Sequence, residues 1–415
     1  MKIVHIITRM ILGGAQENTL LTCEGLHRRG HEVTLITGPA LGPEGELMER
    51  ARSGGYRVIE LDCLRRAINP YYDIPGYYRL KKAVQELAPD IVHTHSAKAG
   101  ILGRWAAAAL QKSAADSCCS RVSRFRRAQL SHCNLPRIVH TIHGLAFHPY
   151  QSSLKNLFYI AIERAAARRT DAFISVAEAM TRQALAAGIG HRGQYTRIFS
   201  GMELDSYLNV PTSEKIEQIR QEFSIPLDAT VITTVARLFE LKGHEYIIES
   251  ARRLASQHQK VVWFFVGDGI LRHTIERQIA AAGLRDCLRL AGLVPPERIG
   301  ELLHASDILV HCSLREGLAR ALPQALLCGK PVVSFDVDGA AEVVINDETG
   351  FLIPPKDISA LTSVQEKLIT NPDLRCQLGA KGREFCRREF DHHLMVDHIE
   401  QVYKSLIISQ GYEKA

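Results

Sequence analysis

The amino-acid sequence predicts an α/β protein with two doubly wound, Rossmann-like domains that face each other across a cleft. Three observations predict this class. Short β-branched, apolar segments alternate with amphipathic helical stretches, which is the pattern of a parallel sheet covered on both faces. The alternation pauses near residue 210 and then restarts. The length of 415 residues fits two or three domains of ordinary size.

The first domain is predicted over residues 1–210 and the second over residues 211–390. The first contains the strand segments KIVHIIT, VTLIT, DIVHTH, RIVHTIH and AFISV. The second contains VITTVAR, VVWFFVG, CLRLAG, DILVHCS and PVVSFDV. Residues 391–415 are predicted to form a helix that returns to the first domain. Because open α/β sheets bind ligands at the carboxyl ends of their strands, residues that follow these segments are the candidates for a site.

Composition excludes several classes of protein. With 46% hydrophobic and 23% charged residues, the chain falls in the range of folded globular proteins rather than disordered or fibrous ones. No run approaches the roughly 18 apolar residues that a membrane-spanning helix needs. The apolar start of the chain is short and contains Lys2, His5 and Arg9, so a secretory signal is not predicted. A cytoplasmic protein is expected.

The cysteines predict neither a metal site nor a redox motif. The ten of them are scattered without a C-x-x-C pair, at positions 23, 63, 118, 119, 133, 287, 312, 328, 376 and 386. Several lie inside apolar segments, as Cys312 does in ILVHCS. We therefore expect reduced thiols that serve partly as small core residues.

Residues 111–134 interrupt the alternation and carry an excess of positive charge. The whole chain has a net charge of +6, and this segment holds five basic residues against Asp116 alone. It is predicted to be an inserted loop. Two interpretations stay open, a solvated insertion without a partner and a contact with an anionic membrane surface. Since no nucleic-acid-reading motif accompanies the charge, nucleic acid is not expected as a partner.

Gly13 and Gly14 lie between the first predicted strand and the first helix. Glycines there let a ligand approach the amides at the start of the helix. A tight turn without a ligand is the alternative, since neither a dinucleotide-binding motif nor a P-loop surrounds them.

Two cations follow the first strand of the second domain. Arg237 ends VITTVAR, and Lys242 lies in the short loop before the next helix. At the carboxyl edge of a sheet they can converge on one anion, and a diphosphate suits them best. A solvated pair of loop residues is the alternative.

Hydrogen-bond acceptors follow the strand DILVHC. Glu316 comes first, with the main-chain amides of Gly317, Leu318 and Ala319 beside it, and Gln324 follows in the first turn of the next helix. A carboxylate and an amide oxygen across one loop both accept hydrogen bonds from hydroxyl groups. This block therefore predicts a hydroxylated ligand.

The ordered series of motifs resembles the family 4 retaining glycosyltransferases of GT-B fold. The motifs are EGLARALPQALLCGKPVV with Glu316 and Gln324, GDG at 267–269, VARL and KG around Arg237, SGMELDSY from Ser200, ETGFLIPP from Glu348, and GGA at 13–15. Together they cover nearly the whole chain except the basic insert.

The resemblance implies a role for each matching residue. Arg237 and Lys242 match the pair that binds the donor diphosphate and stabilises its charge as the glycosyl bond breaks. Glu316 matches the first glutamate of the family's two-glutamate signature, which contacts the donor sugar. Gln324 stands where the second glutamate, a ligand of the ribose hydroxyls, is usual; its amide still offers an oxygen acceptor. His143 matches a histidine that faces the donor sugar and the reacting centre.

The remaining implied donor-binding residues are Gly13, Gly14, Gly267, Gly317, Leu318 and Ala319. For His143 the alternative is an ordinary histidine whose hydrogen bonds are satisfied at the end of a strand.

Two other patterns are compatible with a metal ion but do not predict one. Asp336 and Asp338 form a D-x-D sequence, yet they end a strand inside the second domain. His93 and His95 alternate onto one face of DIVHTH, without a third ligand at suitable spacing. Residues of the cleft edge near the acceptor are the favoured interpretation of this pair. No metal ion and no other cofactor is therefore expected.

The expected function, as the resemblance implies, is transfer of a sugar from a nucleotide-diphospho-sugar to a hydroxyl acceptor, with retention at the anomeric carbon. The expected acceptor is a sugar or a lipid-linked glycan in polysaccharide biosynthesis at the cell envelope, reached through peripheral membrane contact of residues 111–134. A nucleotide-sugar epimerase or hydrolase of the same fold is one alternative, and a non-enzymatic basic adaptor is another. The sequence does not predict the base, the sugar or the linkage.

Overall fold

A computed structural model describes residues 1–41, 46–120 and 135–412, and for residues 112–120 and 409–412 it describes the backbone alone. The chain divides into two compact units. The first unit contains Met1–Gly201 and His392–Ala415, and the second contains Met202–Asp391. The division falls shortly before residue 210, where the sequence pattern pauses.

The first unit holds a seven-stranded parallel sheet. Its strands are β1 (Lys2–Ile6), β2 (Glu32–Thr37), β3 (Arg57–Glu60), β4 (Ile91–His95), β5 (Arg137–Ile142), β6 (Ala172–Ser175) and β7 (Tyr195–Arg197). Its helices up to residue 201 are α1 (Gly14–Arg28), α2 (Met48–Ser53), α3 (Pro70–Leu87), α4 (Ala97–Ser120), α5 (Ser153–Ala167) and α6 (Glu178–Ala186). The strand order is β3-β2-β1-β4-β5-β6-β7.

The second unit holds a six-stranded parallel sheet. Its strands are β8 (Thr230–Val235), β9 (Val261–Val266), β10 (Leu288–Gly292), β11 (Ile308–His311), β12 (Val332–Phe335) and β13 (Gly350–Ile353). Its helices are α7 (Asp205–Leu208), α8 (Ser213–Glu222), α9 (His244–Leu254), α10 (Arg272–Ala281), α11 (Pro296–His304), α12 (Ala321–Leu327), α13 (Ile358–Thr370) and α14 (Pro372–Glu389). The strand order is β10-β9-β8-β11-β12-β13. The predicted α/β class with two doubly wound sheets is thereby confirmed.

The last helix, α15 (His392–Tyr412), belongs to the first unit. Side chains of successive residues in a strand point to opposite faces of a sheet. In β1, Ile3 packs in the core cluster that contains residues of α1 and α15. Val4 packs in the cluster on the other face, with residues of α3 and α4. Both faces of the sheet are therefore covered, which explains why its strands are apolar on both sides.

Helix α4 corrects part of the predicted insert. The helix runs through Ser120, so residues 111–120 form a helical continuation instead of a loop. The Gln111 amide donates a hydrogen bond of 2.7 Å to the carbonyl oxygen of Pro136, just before β5. Residues 121–134, the rest of the predicted insert, lie outside the described residues.

No helix within the described part of the chain combines the length and the apolar character that crossing a bilayer requires. The cysteines whose side chains are described are free thiols, and Cys23, Cys63, Cys312, Cys328 and Cys386 are buried. Their burial agrees with the expected use of thiols as small core residues.

Candidate active site

A pocket of about 260 Å³ lies in the second unit where the strand order reverses, between the carboxyl ends of β8 and β11. Such a reversal opens a crevice in a doubly wound sheet, because the connections on its two sides run in opposite directions. Six residues predicted from sequence line this pocket: Arg237, Lys242, Gly267, Glu316, Ala319 and Gln324. The structure therefore brings these six together.

Lys242 and Glu316 form an ion pair at the wall of the pocket, and each side chain is 20% exposed. The His311 Nε2 atom lies 3.4 Å from the same Glu316 oxygen. Burial by itself raises the pKa of the Glu316 carboxyl, but the Lys242 ammonium and His311 outweigh it and hold that pKa well below its usual range. Glu316 is therefore a carboxylate at neutral pH, an acceptor without a proton of its own.

Two glycines let the loops of the pocket approach each other closely. Gly243, which follows Lys242, has a φ of +74°, and a Cβ atom there would lie 1.9 Å from the carbonyl oxygen of Cys312. Gly267 has a φ of +138°, and its Cβ would lie 2.1 Å from the carbonyl oxygen of Ala236. Any other residue at either position would displace backbone that carries Lys242 or Arg237.

Arg237 follows β8 after one intervening residue, Ala236. Its guanidinium carbon lies 4.8 Å from the centre of the Phe239 ring. This stacking restricts the side chain while it leaves the charge in place, because the face of an aromatic ring attracts a cation.

Asp338 fixes the loop that carries Glu316. Its Oδ2 accepts a hydrogen bond of 2.7 Å from the main-chain N–H of Glu316. The main-chain N–H of Gly339 donates a bond of 3.1 Å to the carbonyl oxygen of Gly317. Asp336, the other half of the D-x-D sequence, is exposed. Neither aspartate belongs to a cluster of three or more potential metal ligands within the described residues.

Gln324 is the fourth residue of α12, and its residue surface is only 9% exposed. Its Nε2 donates a hydrogen bond of 2.8 Å to the hydroxyl of Tyr207, in α7. With its nitrogen held by Tyr207, the amide offers its oxygen as the acceptor. Gly317 and Leu318, which the sequence also predicts as donor-binding, are not among the residues that line the pocket.

Gly13 precedes α1 in the first unit, and Gly14 is its first residue. The φ of Gly13 is 175°, an extended conformation that any residue adopts. A Cβ there would approach only the end of the flexible Gln16 side chain, at 2.7 Å. The local fold therefore does not by itself demand a glycine at position 13.

His143 directly follows β5 and lines a small cavity of about 20 Å³ in the first unit. Its Nε2 lies 3.2 Å from Nδ1 of His95. His93 and His95 are both fully buried in β4, so neither lies at an exposed edge. The third ring that sequence reasoning did not find is His5, which lies in β1 and forms a cluster with them.

Sequence reasoning missed three residues around the pocket of the second unit. His311 is the last residue of β11, and the predicted strand segment DILVHC already places it near the end of that strand. His244 begins α9, and burial, His311 and Lys242 lower its pKa to about 4. Tyr207 carries no local signal, because its contact with Gln324 joins residues that are far apart in the sequence.

Family comparisons identify both halves of the chain as glycosyltransferase domains. Residues 13–198 match the family described as glycosyl transferase 4-like domain, and residues 215–385 match glycosyl transferases group 1. The chain is thus a member of the glycosyltransferase class. It belongs to the family 4 glycosyltransferases of GT-B fold, which confirms the resemblance carried by its motifs.

Two bacterial relatives are similar over most of their length. One is the Escherichia coli UDP-Gal:alpha-D-GlcNAc-diphosphoundecaprenol alpha-1,3-galactosyltransferase, 26% identical over 99% of this chain and 98% of that protein. The other is the Bacillus subtilis putative glycosyltransferase EpsD, 24% identical over 85% of this chain and 86% of that protein.

Solved structures with the same fold include Anabaena HepE in complex with UDP, with a TM-score of 0.78 and 20% identity. The match covers 98% of this chain and 100% of HepE. Sucrose-phosphate synthase from Thermosynechococcus elongatus has a TM-score of 0.77 and 19% identity, over 99% and 100% of the two chains. At these identities the similarity defines the fold.

Proposed function

We propose that this glycosyltransferase moves a sugar from a nucleotide-diphospho-sugar to a hydroxyl acceptor, with retention of anomeric configuration and without a metal ion. One observation carries the proposal. Arg237, Lys242, Glu316 and Gln324 line a single pocket at the reversal of strand order in the second unit. The pocket thus combines two cations for a diphosphate with two oxygen acceptors for hydroxyl groups.

The two cations bind the diphosphate of the donor. Lys242 supplies a compact ammonium, and Arg237 a planar guanidinium that suits two phosphate oxygens at once. As the sugar leaves, negative charge accumulates on the phosphate oxygen beside them. Cations fixed in advance stabilise that charge without reorganisation, which lowers the barrier.

Glu316 and Gln324 hold the hydroxyl groups of the donor. The Glu316 carboxylate accepts bonds from the sugar, while its ion pair with Lys242 keeps it charged and in position. The Gln324 oxygen accepts from the ribose, since the Gln324 nitrogen is held by Tyr207. The hydrogen-bond acceptor for the sugar therefore lies on one loop, and the acceptor for the ribose lies on the helix that follows this loop.

The proposed reaction breaks the bond between the anomeric carbon and the phosphate oxygen and forms one to the acceptor oxygen on the same face of the sugar. The acceptor hydroxyl loses its proton to the departing phosphate. Because side chains supply the positive charge, the reaction as proposed needs no cation beyond Arg237 and Lys242.

A lipid-linked acceptor is the class we propose for this chain, and two observations support it. The Escherichia coli relative is named for an acceptor on diphosphoundecaprenol. In the first unit, large apolar side chains are exposed around the starts of α3 and α5, which both pack against α4. They are Ile68, Tyr71, Ile74, Tyr78, Leu154, Leu157 and Phe158. Large apolar side chains that are exposed on neighbouring elements support a contact with lipid.

A panel of nucleotide sugars in a thermal-shift assay tests the donor. A donor at 100 times its Kd stabilises the folded state by about 2.7 kcal/mol. NMR of the product then gives the anomeric configuration, and retention is expected. Release of free sugar or an epimer without any acceptor would instead indicate a hydrolase or epimerase, and absence of nucleotide binding would indicate a non-enzymatic adaptor.

Peripheral membrane contact through residues 111–134 is tested by sedimentation with anionic vesicles at low and high salt. The four arginines between residues 121 and 127 are replaced by serine. A control variant replaces Arg252, Arg253, Arg277 and Arg285, which are exposed in the second unit. We expect salt-sensitive binding that only the first variant loses. Equal binding by both variants contradicts the role of the insert.

A further inference from the structure

Three histidine rings form a continuous hydrogen-bonded chain in the first unit. Nδ1 of His5 lies 3.0 Å from Nε2 of His95, and Nδ1 of His95 lies 3.2 Å from Nε2 of His143. The rings come from three neighbouring segments of the sheet, namely β1, β4 and the residue that follows β5. The chain therefore connects the core of the sheet to its carboxyl edge.

Strand register explains why these rings meet. His5 pairs with His93 across β1 and β4, and His95 pairs with Thr141 across β4 and β5. His93 and His95, two residues apart, share a face, as do Thr141 and His143. All the rings thus lie on the face of the sheet that packs against α1 and α15.

The rings of His5 and His95 are neutral. His5 and His95 are fully buried, and this burial lowers the pKa of each imidazole far below its usual value. A neutral imidazole has one N–H and one lone pair. His5 and His95 must therefore each accept at one nitrogen if they donate from the other. Both hydrogen bonds in the series of rings then run in the same direction.

The His5 end of this hydrogen-bonded chain of rings decides the direction. Nε2 of His5 is buried and has no hydrogen-bond partner among the described residues. If the protons point toward His143, this atom is a lone pair without a donor. In the opposite direction it is an N–H without an acceptor. Buried N–H groups without a partner are the rarer case in proteins, so the first direction is favoured.

We infer that His5 and His95 are positioning residues that hold His143 in the tautomer with its proton on Nδ1. In this arrangement His95 donates from Nδ1 to Nε2 of His143. His143 then presents a neutral N–H donor at its other nitrogen. The role in sugar transfer rests on the proposed function; the tautomer itself does not.

His93 is the reason to prefer a hydrogen-bonded chain over a metal site. With His5 and His95 it forms a cluster whose ligand atoms are close enough together for a metal ion. Its Nδ1 lies 2.5 Å from the Tyr403 hydroxyl, and its Nε2 lies 2.7 Å from Oγ1 of Thr141. A metal ion held by all three rings would have to displace one of these bonds and also one of the two bonds of His95, to His5 or to His143.

The tautomer of His143 determines which ligand atoms the ring can bind. A ring with its proton on Nδ1 donates from that atom to a ligand oxygen at the carboxyl edge of the first sheet, whereas the other tautomer presents a lone pair there and repels the oxygen. Without His95, both tautomers are populated, and part of the protein holds its ligand at this edge without the bond.

The first test is NMR of the whole chain with ¹⁵N-labelled histidine rings, with the His143 signals assigned from His143→Gln. We expect a proton on Nδ1 of His143 in the wild type. His95→Phe should produce a mixture of tautomers, and His95→Asn, whose amide takes the place of Nδ1, should restore the single one. A proton on Nε2 in the wild type, or no change in His95→Phe, overturns the inference.

His93→Phe is the matched control, since it removes a buried ring of the same strand and face that does not belong to the hydrogen-bonded series of His5, His95 and His143. It should leave the tautomer of His143 unchanged, and circular dichroism checks that each variant folds. If His95→Phe does not fold, the wild-type tautomer and His95→Asn still decide the question.

The second test is kinetic. His95→Phe should lower kcat by about 10- to 100-fold with a much smaller change in KM, by analogy with the removal of residues that orient metal-binding histidines. His95→Asn should recover most of that loss. If no donor supports transfer, the proposed function fails while the NMR result still stands. Stoichiometric Zn²⁺ binding by the wild type that His5→Phe abolishes would overturn the hydrogen-bonded chain in favour of a metal site.

Discussion

The polar residues at the carboxyl ends of the two sheets are stabilised in opposite ways. In the second unit, Lys242 and Glu316 are charged, partly exposed and paired with each other. In the first unit, His5 and His95 are fully buried and neutral, and a hydrogen bond of 3.0 Å joins them. The difference shows that one edge carries fixed charge, whereas the other carries buried, uncharged rings that a hydrogen bond orients.

Removal of the two cations should have the largest effect on turnover. Arg237→Ala and Lys242→Ala should each lower kcat by roughly 100-fold or more, because each removes a fixed charge from the leaving phosphate. Both side chains lie at the pocket rather than in the core, so the fold should persist. Lys260→Ala, at an exposed ion pair with Asp228, is the control and should keep full activity. Near-normal turnover in a folded double variant would remove the assignment to the diphosphate.

Glu316→Gln tests the charged character of the second unit through stability. The folded state lowers the pKa of Glu316, so the carboxylate adds stability at pH values above its unfolded pKa. This contribution is lost as the pH falls through the lower, folded-state pKa. The variant should therefore lose about 1–3 kcal/mol of unfolding free energy at neutral pH, with a smaller difference from wild type in acid. Urea denaturation across pH measures it.

The control for that measurement is Glu222→Gln, which breaks a more exposed pair with Arg298. A loss below about 1 kcal/mol is expected there. Equal losses in both variants would mean that the pocket does not stabilise the Glu316 charge more than an ordinary surface site does.

Gln324 should have a smaller effect, on donor affinity. Gln324→Ala should weaken binding by about 10-fold or less, the range of one hydrogen bond. Gln324→Glu should be tolerated and should tighten binding, because a carboxylate is the stronger acceptor for two ribose hydroxyls. Calorimetric titration with the nucleotide measures both, with the exposed Gln278→Ala as control. Unchanged affinity in both Gln324 variants would make it a packing residue that Tyr207 holds.

Chelation should have no effect. Activity should survive EDTA, since the proposed stabilising cations are side chains. Asp336→Ala should be neutral, whereas Asp338→Ala should lower activity because Asp338 holds the main-chain N–H of Glu316. If EDTA abolished activity and Mg²⁺ or Mn²⁺ restored it, with both aspartates required, the D-x-D sequence would have to be reassigned as a metal site.

The fold could be predicted from sequence because ten of the thirteen strands in the described residues are apolar segments with their own turn signals. Strands β3, β7 and β13 were not predicted, and β3 (RVIE) and β7 (YTR) are short and carry charged residues. The class of fold and the order of β/α units follow directly from that pattern. The helical continuation in α4 could not be predicted well, since Ser, Cys and Arg around residue 118 suggest a loop while the preceding alanines favour a helix. Residues that favour a loop and residues that favour a helix lie side by side there, and in the structure the helix continues.

The two candidate sites differ in how much the sequence reveals. Arg237, Lys242 and Glu316 lie in the loops that follow β8 and β11. Neighbouring strands of a doubly wound sheet end at the same edge, so the proximity of these residues is a consequence of the fold class. The contact between His5 and His95 depends on which strands are adjacent and in which register, and neither is written in a local motif. Tyr207 and Gln324 meet for the same long-range reason.

Helix α15 has a consequence for synthesis. The second unit is one continuous stretch of chain, whereas the first is completed by residues at the other end of the sequence. Met395, Val396, Ile399 and Tyr403 are all part of the buried core beside α1. As the chain leaves the ribosome, the core of the first unit stays open until those residues emerge, although its sheet is made first. The unit translated second is therefore the one that can finish folding first, and the newly made first unit exposes apolar surface for the whole interval.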